Sequence, residues 1–506
     1  MPLLCCAVFS YAQEKEPSHV ERFLSPEKRA ERMEEEAAAL LRANPEDAAA
    51  LAKRGEMRLR LGHTQQGVDD LQRAVTLDPK SVGAYASLSV GLWSLGRMKE
   101  AEEAAARALQ LDPNNVSANY YAGRLLLVTG GNQGKAIEFL QHAIDLDPTQ
   151  EGMRYELLLA LRQRGDITNA AVQLRVLRAM RAPNDPDVTY AEGLLATDFG
   201  DLPLAIDRFR AALAANPRLT SARFDLGMAL VHTGRWDEAL DIFAPLAKDE
   251  PASFQAAYFH ALALHNTHHS AEAEAEARRA AALVPGAADA HTLLGIILSA
   301  RSDNARAVSE LEQAAKLDAG HFDARLYLGR ARYALGDLTG ARDALQEALK
   351  LKPADFEARF FLATVLESAG DTFGALAEYR TLTERSPSDA RGFAAYGSLR
   401  ARTGGTEEAV AALRRARELD SRNFEAVLSL GRLLARSGQF EEAIELLRKA
   451  VQRAPDSAEA HYQLGLALRR NGQSQEAAVE FATVERLNRE YRTKGTGAME
   501  SRPEKP

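Results

Sequence analysis

Cysteine and tryptophan are scarce in this sequence. Only two of the 506 residues are cysteine, and they are the neighbours Cys5 and Cys6. Neighbouring cysteines cannot join distant parts of a fold, so a disulfide framework is excluded. Aromatic residues make up only 7% of the chain, but hydrophobic residues of all kinds make up 46%, which is ordinary for a folded protein, so most of the chain is expected to fold.

An excess of charge of one sign is also missing. The formal net charge is −8, with 26% charged residues. Nucleic-acid binding needs concentrated lysine and arginine to displace counterions from phosphates, so this composition gives no electrostatic case for it. The sequence also has no run of about 18 apolar residues and therefore predicts no membrane-spanning helix.

Residues 1–24 contain a segment with features of a targeting signal. A short apolar stretch at 3–9 is followed by small residues up to Ala12, as at the end of a secretory signal peptide. The stretch is short, and no lysine or arginine precedes it. Export to the periplasm or the exterior is the favoured interpretation, and a disordered tail on a cytoplasmic protein is the alternative.

The prolines reveal an internal repeat. They fall at intervals of 34 or 35 residues, or twice that, at Pro45, Pro79, Pro113, Pro148, Pro217, Pro251, Pro285, Pro353, Pro387 and Pro455. With this proline numbered as position 32, thirteen repeats start at residues 48, 82, 116, 151, 186, 220, 254, 288, 322, 356, 390, 424 and 458. A fixed period of roughly 20–50 residues is typical of stacked-repeat proteins.

Small residues occupy fixed positions in the repeat. Position 8 is glycine in nine repeats, position 15 is glycine in eleven, and position 20 is alanine in twelve, with the smaller Gly67 as the exception. Positions 4, 7, 8 and 11 follow the period of one helix face, as do 20, 24 and 27, and glycine at 15 predicts a left-handed turn between two helices. Proline at position 32 ends the second helix. Each repeat is therefore predicted to be a helical hairpin.

A period of 34 residues with small residues at positions 8, 20 and 27 and proline at 32 resembles the tetratricopeptide repeat family in its multi-repeat bacterial form. The tryptophan that the family carries at position 4 is absent from every repeat. The resemblance implies an all-α fold, an α-solenoid in which about thirteen 34-residue hairpins form a right-handed superhelix. The expected organisation is a signal-like or disordered segment at 1–24, a capping helix at 25–45, thirteen repeats over 48–491 and a disordered tail at 493–506.

The same resemblance implies that positions 2, 5, 9, 12 and 13 of the first helices line a concave groove. Five successive repeats carry a ring at position 5, which predicts aromatic contacts with a partner: Tyr120, Tyr155, Tyr190, Phe224 and Tyr258. Packing of one hairpin on the next is the competing interpretation of these rings.

Later repeats carry arginine at positions 9, 12 or 13, which predicts binding of partner carboxylates: Arg330, Arg402, Arg432, Arg436, Arg469 and Arg470. Solvation of an exposed helix surface is the competing interpretation. The lysine and asparagine pair with which some family members hold a carboxyl-terminal carboxylate is not present at positions 5 and 9 of neighbouring repeats.

No sequence motif indicates catalysis, a cofactor or a metal site. The histidines His260, His265, His268 and His269 lack a cysteine or a well-placed carboxylate that would complete a tetrahedral zinc site. The leading prediction is a non-enzymatic scaffold for protein or peptide partners, bound as an extended or helical segment in the groove. A component of a bacterial cell-envelope, secretion or polysaccharide-export assembly is the alternative, and an enzyme with an unrecognised site is a remote one. The sequence does not indicate the oligomeric state.

Overall fold

The computed structural model describes the backbone of residues 26–500 and the side chains of 27–492. Within these residues it contains twenty-seven α-helices and no strand, so the fold is an all-α solenoid. The chain divides into two compact units, residues 1–242 and 243–506. The signal-like segment predicted at 1–24 lies outside the described residues.

Unit 1 contains twelve complete helices among its described residues. They are α1 Pro26–Ala43, α2 Ala48–Arg60, α3 Thr64–Leu77, α4 Val82–Ser94, α5 Met98–Leu111, α6 Val116–Val128, α7 Gln133–Leu146, α8 Glu151–Gln163, α9 Ile167–Met180, α10 Pro186–Asp198, α11 Leu202–Ala215 and α12 Thr220–His232. The boundary between the units falls within α13, Trp236–Asp249.

Unit 2 contains the remaining helices. They are α14 Phe254–Asn266, α15 Ser270–Leu283, α16 Ala288–Ala300, α17 Asn304–Leu317, α18 Phe322–Ala334, α19 Leu338–Leu351, α20 Phe356–Ser368, α21 Thr372–Arg385, α22 Ala390–Arg402, α23 Thr406–Leu419, α24 Phe424–Arg436, α25 Phe440–Arg453, α26 Ala458–Arg470 and α27 Ser474–Glu500. Each even-numbered helix begins at the first residue of a repeat and is followed by the second helix of that repeat.

The last helix is longer than the sequence analysis predicts. α27 continues past Thr493 to Glu500, so the structure has helix in 493–500, where a disordered tail is expected. α27 meets no proline before Pro503, whereas most of the other second helices are followed within three residues by a proline that prevents the helix from continuing. Residues 501–506 lie outside the described part of the chain.

The turn inside each hairpin has the left-handed backbone predicted for position 15. Eleven glycines adopt positive φ there, and the two repeats without glycine place His268 (φ 66°) and Ser302 (φ 64°) in the same conformation. At Gly336, for example, the turn is closed by hydrogen bonds from Gly336 N to Tyr333 O (2.9 Å) and from Asp337 N to Arg332 O (3.0 Å). His268 and Ser302 are therefore strained by a backbone that glycine adopts freely.

We expect His268→Gly and Ser302→Gly each to raise the free energy of unfolding of unit 2 by about 0.5–1 kcal/mol, because each change relieves this strain. Urea unfolding followed by circular dichroism measures the change. Gly336→Ala is the matched control and is expected to lower stability by a similar amount. Unfolding midpoints that stay the same in both glycine variants would contradict the assignment of strain.

The two helices of a hairpin approach most closely where positions 8 and 20 face each other. All twelve alanines at position 20 are buried, with at most 2% of their surface exposed. A Cβ atom on Gly55 would lie 2.9 Å from the carbonyl oxygen of Gly67, and a Cβ on Gly67 would lie 2.8 Å from that of Gly55. The main chains nearly touch here, which explains why the one residue at position 20 that is not alanine is glycine.

Polar side chains take the place of the family tryptophan at position 4 in eight repeats. In six of them the side chain lies within hydrogen-bonding distance of the carbonyl oxygen of the proline that ends the preceding repeat, and we name this contact the proline clasp. Its donors are Asn119, Arg154, Arg223, His291, Arg359 and His461. Four of them also contact a side chain at position 23 of their own repeat: Gln173, Glu310, Glu378 and Glu480. The proline clasp thus joins consecutive hairpins.

His291→Ala is expected to lower the free energy of unfolding by about 1–2 kcal/mol, because it leaves the carbonyl of Pro285 and the carboxylate of Glu310 without their partner. His291→Arg is the control, since Arg359 makes the equivalent contacts with Pro353 and Glu378 in another repeat. Urea unfolding measures both variants. If the arginine variant is as unstable as the alanine variant, the proline clasp does not stabilise the fold as we predict.

Candidate partner-binding surface

The four predicted rings of unit 1 lie on α6, α8, α10 and α12. Tyr120 has 1% of its surface exposed, whereas Tyr155, Tyr190 and Phe224 are half-buried. Burial raises the pKa of the Tyr120, Tyr155 and Tyr190 hydroxyls above the usual value for tyrosine. The burial of Tyr120 supports the packing interpretation for this ring, because it leaves almost no surface for a partner to contact.

Three polar residues on the first helices α8, α10 and α12 of unit 1 have partners within the chain. The hydroxyl of Tyr190 donates a hydrogen bond of 2.6 Å to Asp225 Oδ2. Burial raises the pKa of Asp225, while this hydrogen bond and the charge of Arg162 act in the opposite direction. Arg162 is itself paired with Asp198. A partner that binds here would have to compete with these contacts.

Arg124 is held in the same way on α6. Its guanidinium lies 5.4 Å from the ring centroid of Trp93 and 5.5 Å from that of Tyr120, and its Nε is 3.2 Å from Glu156 Oε1. Burial raises the pKa of Glu156, and the charge of Arg124 opposes that shift. This arginine therefore has a structural partner as well as two stacking rings.

The fifth ring, Tyr258, lies on α14 in unit 2. Its centroid is 5.9 Å from that of Phe254 and 5.1 Å from that of Phe259, which it meets edge-on. Burial, followed by the negative charges of Asp289 and Asp323, raises the pKa of Tyr258 to about 12. Tyr258 thus belongs to a local aromatic group within unit 2 and is only half-buried.

Two of the six predicted arginines are neutralised by carboxylates of neighbouring repeats. Arg402 pairs with Glu367. Nη1 of Arg432 lies 3.2 Å from Oε1 of Glu459, which is in the next repeat. The guanidinium groups of both arginines, which the sequence analysis predicts to bind partner carboxylates, thus already form ion pairs within the chain.

The three arginines nearest the end of the repeat array differ in their surroundings. Arg469 lies over the ring of Phe481, with 5.5 Å from guanidinium carbon to ring centroid. Arg436 and Arg470 are exposed and form no ion pair with any residue in the described range. The predicted arginine series is therefore not one continuous basic surface.

Arg330 on α18 has a different environment from the other five. Its guanidinium carbon lies 5.0 Å from the ring centroid of Tyr327 and 4.6 Å from that of Phe361. The arginine is exposed, and it forms no ion pair or hydrogen bond with a described residue. Two rings thus position a guanidinium group whose charge no carboxylate of the chain neutralises.

A cavity of about 490 Å³ lies beside Arg330, in unit 2. It is lined by residues of α14, α16, α18 and α20 and by the first residue of α17. The lining residues are His265, Ile296, Ser299, Ala300, Asn304, Tyr327, Arg330, Ala331, Ala334 and Phe361. Its volume falls within the range of roughly 300–1,000 Å³ that is usual for ligand pockets. The first helices of four consecutive repeats therefore form one concave site.

The polar groups of the cavity favour a ligand that carries negative charge. Arg330 is the only arginine or lysine among the lining residues, and they include no carboxylate. Burial, and secondarily the charge of His268, lowers the pKa of His265, so this imidazole is neutral at neutral pH. The hydroxyl oxygen of Ser299 is buried and has no hydrogen-bond partner in the described part of the chain.

The histidines do not assemble into a metal site. In residues 27–492, no three side chains of histidine, cysteine, aspartate or glutamate come close enough together to hold a metal ion. Nδ1 of His260 lies 3.2 Å from Oε2 of Glu276, and His268 occupies the turn. His265 instead lines the cavity.

The sequence analysis includes Arg330 but misses the residues that position it. Tyr327 and Phe361 both occupy position 6, which lies beside the positions assigned to the groove. Two aromatic residues at position 6 of successive repeats, with an arginine at position 9 between them, form the signal that could have identified the site.

The family model for the tetratricopeptide repeat matches residues 34–82, 88–151, 190–253, 224–288, 292–356, 328–390, 395–458 and 428–488. The chain belongs to the tetratricopeptide repeat family. The fold of this family is generally a scaffold for protein–protein interaction, and its members are typically not enzymes. The unmatched residues between 151 and 190 include Leu158, a bulky residue at position 8.

Solved structures of tetratricopeptide repeat proteins are similar to this chain. The Cut9–Hcn1 hetero-tetramer of the APC/C is matched at 14% identity over 88% of this chain and 97% of that chain, with a TM-score of 0.45. Yeast Tom70 is matched at 18% identity over 88% and 96%, with a TM-score of 0.39. YrrB, described as having an unusual peptide-binding site, is matched at 23% identity over 36% and 95%, with a TM-score of 0.32.

No curated protein matches the sequence of this tetratricopeptide repeat protein. Among its described residues, no helix combines the length and apolar character that crossing a membrane requires.

Proposed function

We propose that this protein is an interaction scaffold in which the first helices α14, α16, α18 and α20 bind an extended or helical segment of a partner protein. The observation that carries the proposal is the cavity of about 490 Å³ that these helices line. It combines apolar surface from Ile296 and Ala331 with a cation, and so offers both burial and orientation to a bound segment.

The polar side chains of unit 1 also favour placing the binding site in unit 2, because several of them are already paired with each other. Tyr190 and Asp225 hydrogen-bond to each other, and Arg124 is occupied by Glu156. In unit 2, the cavity contains the guanidinium group of Arg330, which forms no ion pair or hydrogen bond with a described residue. Groups that lack partners gain most from a ligand, because no internal contact has to be broken.

The test uses the full chain and a display library of random peptides of about twelve residues. Peptides selected by the wild-type protein are then measured against Ala334→Trp, which fills the cavity from an exposed lining position, and against Lys350→Trp on the second helix α19. We expect Ala334→Trp to weaken binding at least about 10-fold and Lys350→Trp to leave it unchanged. A library without any binder, or binders that tolerate Ala334→Trp, would contradict the proposed function.

A further inference from the structure

We propose that the cavity on α14, α16, α18 and α20 selects an aspartate or glutamate side chain of the partner segment, held by Arg330 and flanked in the partner by apolar residues. This inference rests on the proposed function and adds the chemistry that the site recognises. It distinguishes Arg330 from the other described arginines of unit 2, none of which lines the cavity.

The stacking of Arg330 determines which of its atoms a ligand can reach. Tyr327 and Phe361 lie at 5.0 and 4.6 Å from the guanidinium carbon, so aromatic rings occupy the space around the planar group. Guanidinium N–H groups point outward in the plane, where a carboxylate accepts two parallel hydrogen bonds. Rings that hold the plane in place reduce the side-chain entropy that a flexible arginine loses on binding.

Two carboxylates on the second helices α15 and α17 of these repeats are paired with other residues. Glu274 forms ion pairs with Arg301 (3.0 Å) and Arg306 (3.3 Å), and Oε1 of Glu312 lies 2.7 Å from Nη2 of Arg332. No described carboxylate forms an ion pair with Arg330, so its charge is available to a partner. An acidic side chain supplies the missing negative charge.

The remaining lining explains the expected flanking residues. Ser299 also lines the cavity, but its hydroxyl oxygen is buried and leaves Arg330 as the group that contacts the carboxylate. Ile296 and the alanines 300, 331 and 334 present short apolar side chains beside it. An aliphatic neighbour of the acidic residue would bury its surface against them.

The test continues with peptides selected on the wild-type chain. We expect aspartate or glutamate to be enriched at one peptide position in selections on wild type and on Arg436→Gln, and this enrichment to be lost on Arg330→Gln. Arg436 is the matched control because it is also an exposed arginine without an ion-pair partner among the described residues. Equal acidic enrichment on Arg330→Gln would overturn the inference.

Affinity measurements on one selected peptide, amidated at its carboxyl terminus, then locate the contact. Replacing the enriched acid by its amide is expected to weaken binding to wild type about 10-fold or more and to have little effect on Arg330→Gln. Arg330→Glu should bind a peptide with lysine at that position better than the acidic peptide. Loss of binding on amidation alone would show that the site recognises a terminal carboxylate and would contradict a side-chain ligand.

The two proposals can fail separately. Some peptides could fail to bind Ala334→Trp yet bind Arg330→Gln as tightly as wild type. They would contradict the selection of an acidic side chain but would still support the proposed binding surface. Peptides that tolerate both substitutions would contradict both proposals. Circular dichroism of Arg330→Gln and Ala334→Trp checks that each variant keeps the helical content of the wild-type chain.

Discussion

Replacing Gly329 by valine is expected to lower the free energy of unfolding of unit 2 by about 3 kcal/mol. A Cβ atom at this position would lie 2.5 Å from Cγ of Leu345 and 3.2 Å from the carbonyl oxygen of Ala341. Leu345 is fully buried and Ala341 O belongs to the main chain, so neither can move away without displacing α19. Urea unfolding followed by circular dichroism measures the loss.

Gly286→Val provides the control within the same unit. A Cβ atom on Gly286 meets nothing within 4 Å, so the expected change is within about 0.5 kcal/mol. Leu345→Ala alone should cost about 2–5 kcal/mol, but in the Gly329→Val background it removes the clash and should cost much less. Equal midpoints for Gly329→Val and Gly286→Val, or strict additivity of the two substitutions at 329 and 345, would contradict the steric explanation.

Close approach of the main chains is the part of the fold that the sequence predicts best. Glycine and alanine recur at positions 8 and 20 because a larger residue at most of these sites would overlap its neighbour, so the residue sizes in the sequence report the close packing. Leu158 at position 8 is the bulky exception. The left-handed turn is predicted for the same reason, since only glycine adopts it without strain. In the structure, His268 and Ser302 adopt the same left-handed conformation although they are not glycine.

Contacts of long polar side chains could not be predicted from the repeat alone. Arg402 reaches Glu367, 35 residues away, and Arg391 reaches Glu357, 34 residues away, across neighbouring hairpins. Many arrangements of flexible side chains satisfy the same spacing, and their ion pairs at the surface contribute little free energy. The period therefore identifies Arg330 and Arg402 as equally good candidates, and only the three-dimensional arrangement separates the free cation from the paired one.

The amides of α15 are expected to exchange with solvent at least about 100-fold faster than those of α25 in the same protein. The apolar side chains that α15 buries are all alanines, and it also buries Glu274. α25 buries Ile444, Leu446 and Leu447 in addition to its alanines. Each such large side chain contributes about 1.5–3 kcal/mol when buried, so the difference exceeds the roughly 3 kcal/mol that a 100-fold ratio requires.

Electrostatic contacts replace part of this missing apolar burial. Glu274 is 7% exposed and pairs with Arg278 (2.7 Å), Arg301 (3.0 Å) and Arg306 (3.3 Å), of which the last two follow in the next repeat. These arginines are partly exposed to solvent, so added salt screens their attraction to Glu274. Raising the ionic strength from about 0.02 to about 0.5 M should therefore speed exchange in α15 more than in α25.

Glu274→Gln separates the two contributions. The variant should exchange several-fold faster than wild type over residues 270–283 at low salt and should lose the salt dependence of this segment, because the charge that holds the arginines is gone. Glu445→Gln, which breaks an exposed ion pair with Lys449 on α25, changes the net charge equally and should leave exchange at 270–283 unaltered. Exchange in wild type that is as slow at 270–283 as at 338–351 and 440–453 would show that alanine and ion pairs hold this hairpin as firmly as leucine and isoleucine hold the others, and the ranking of the repeats by buried apolar area would then be wrong.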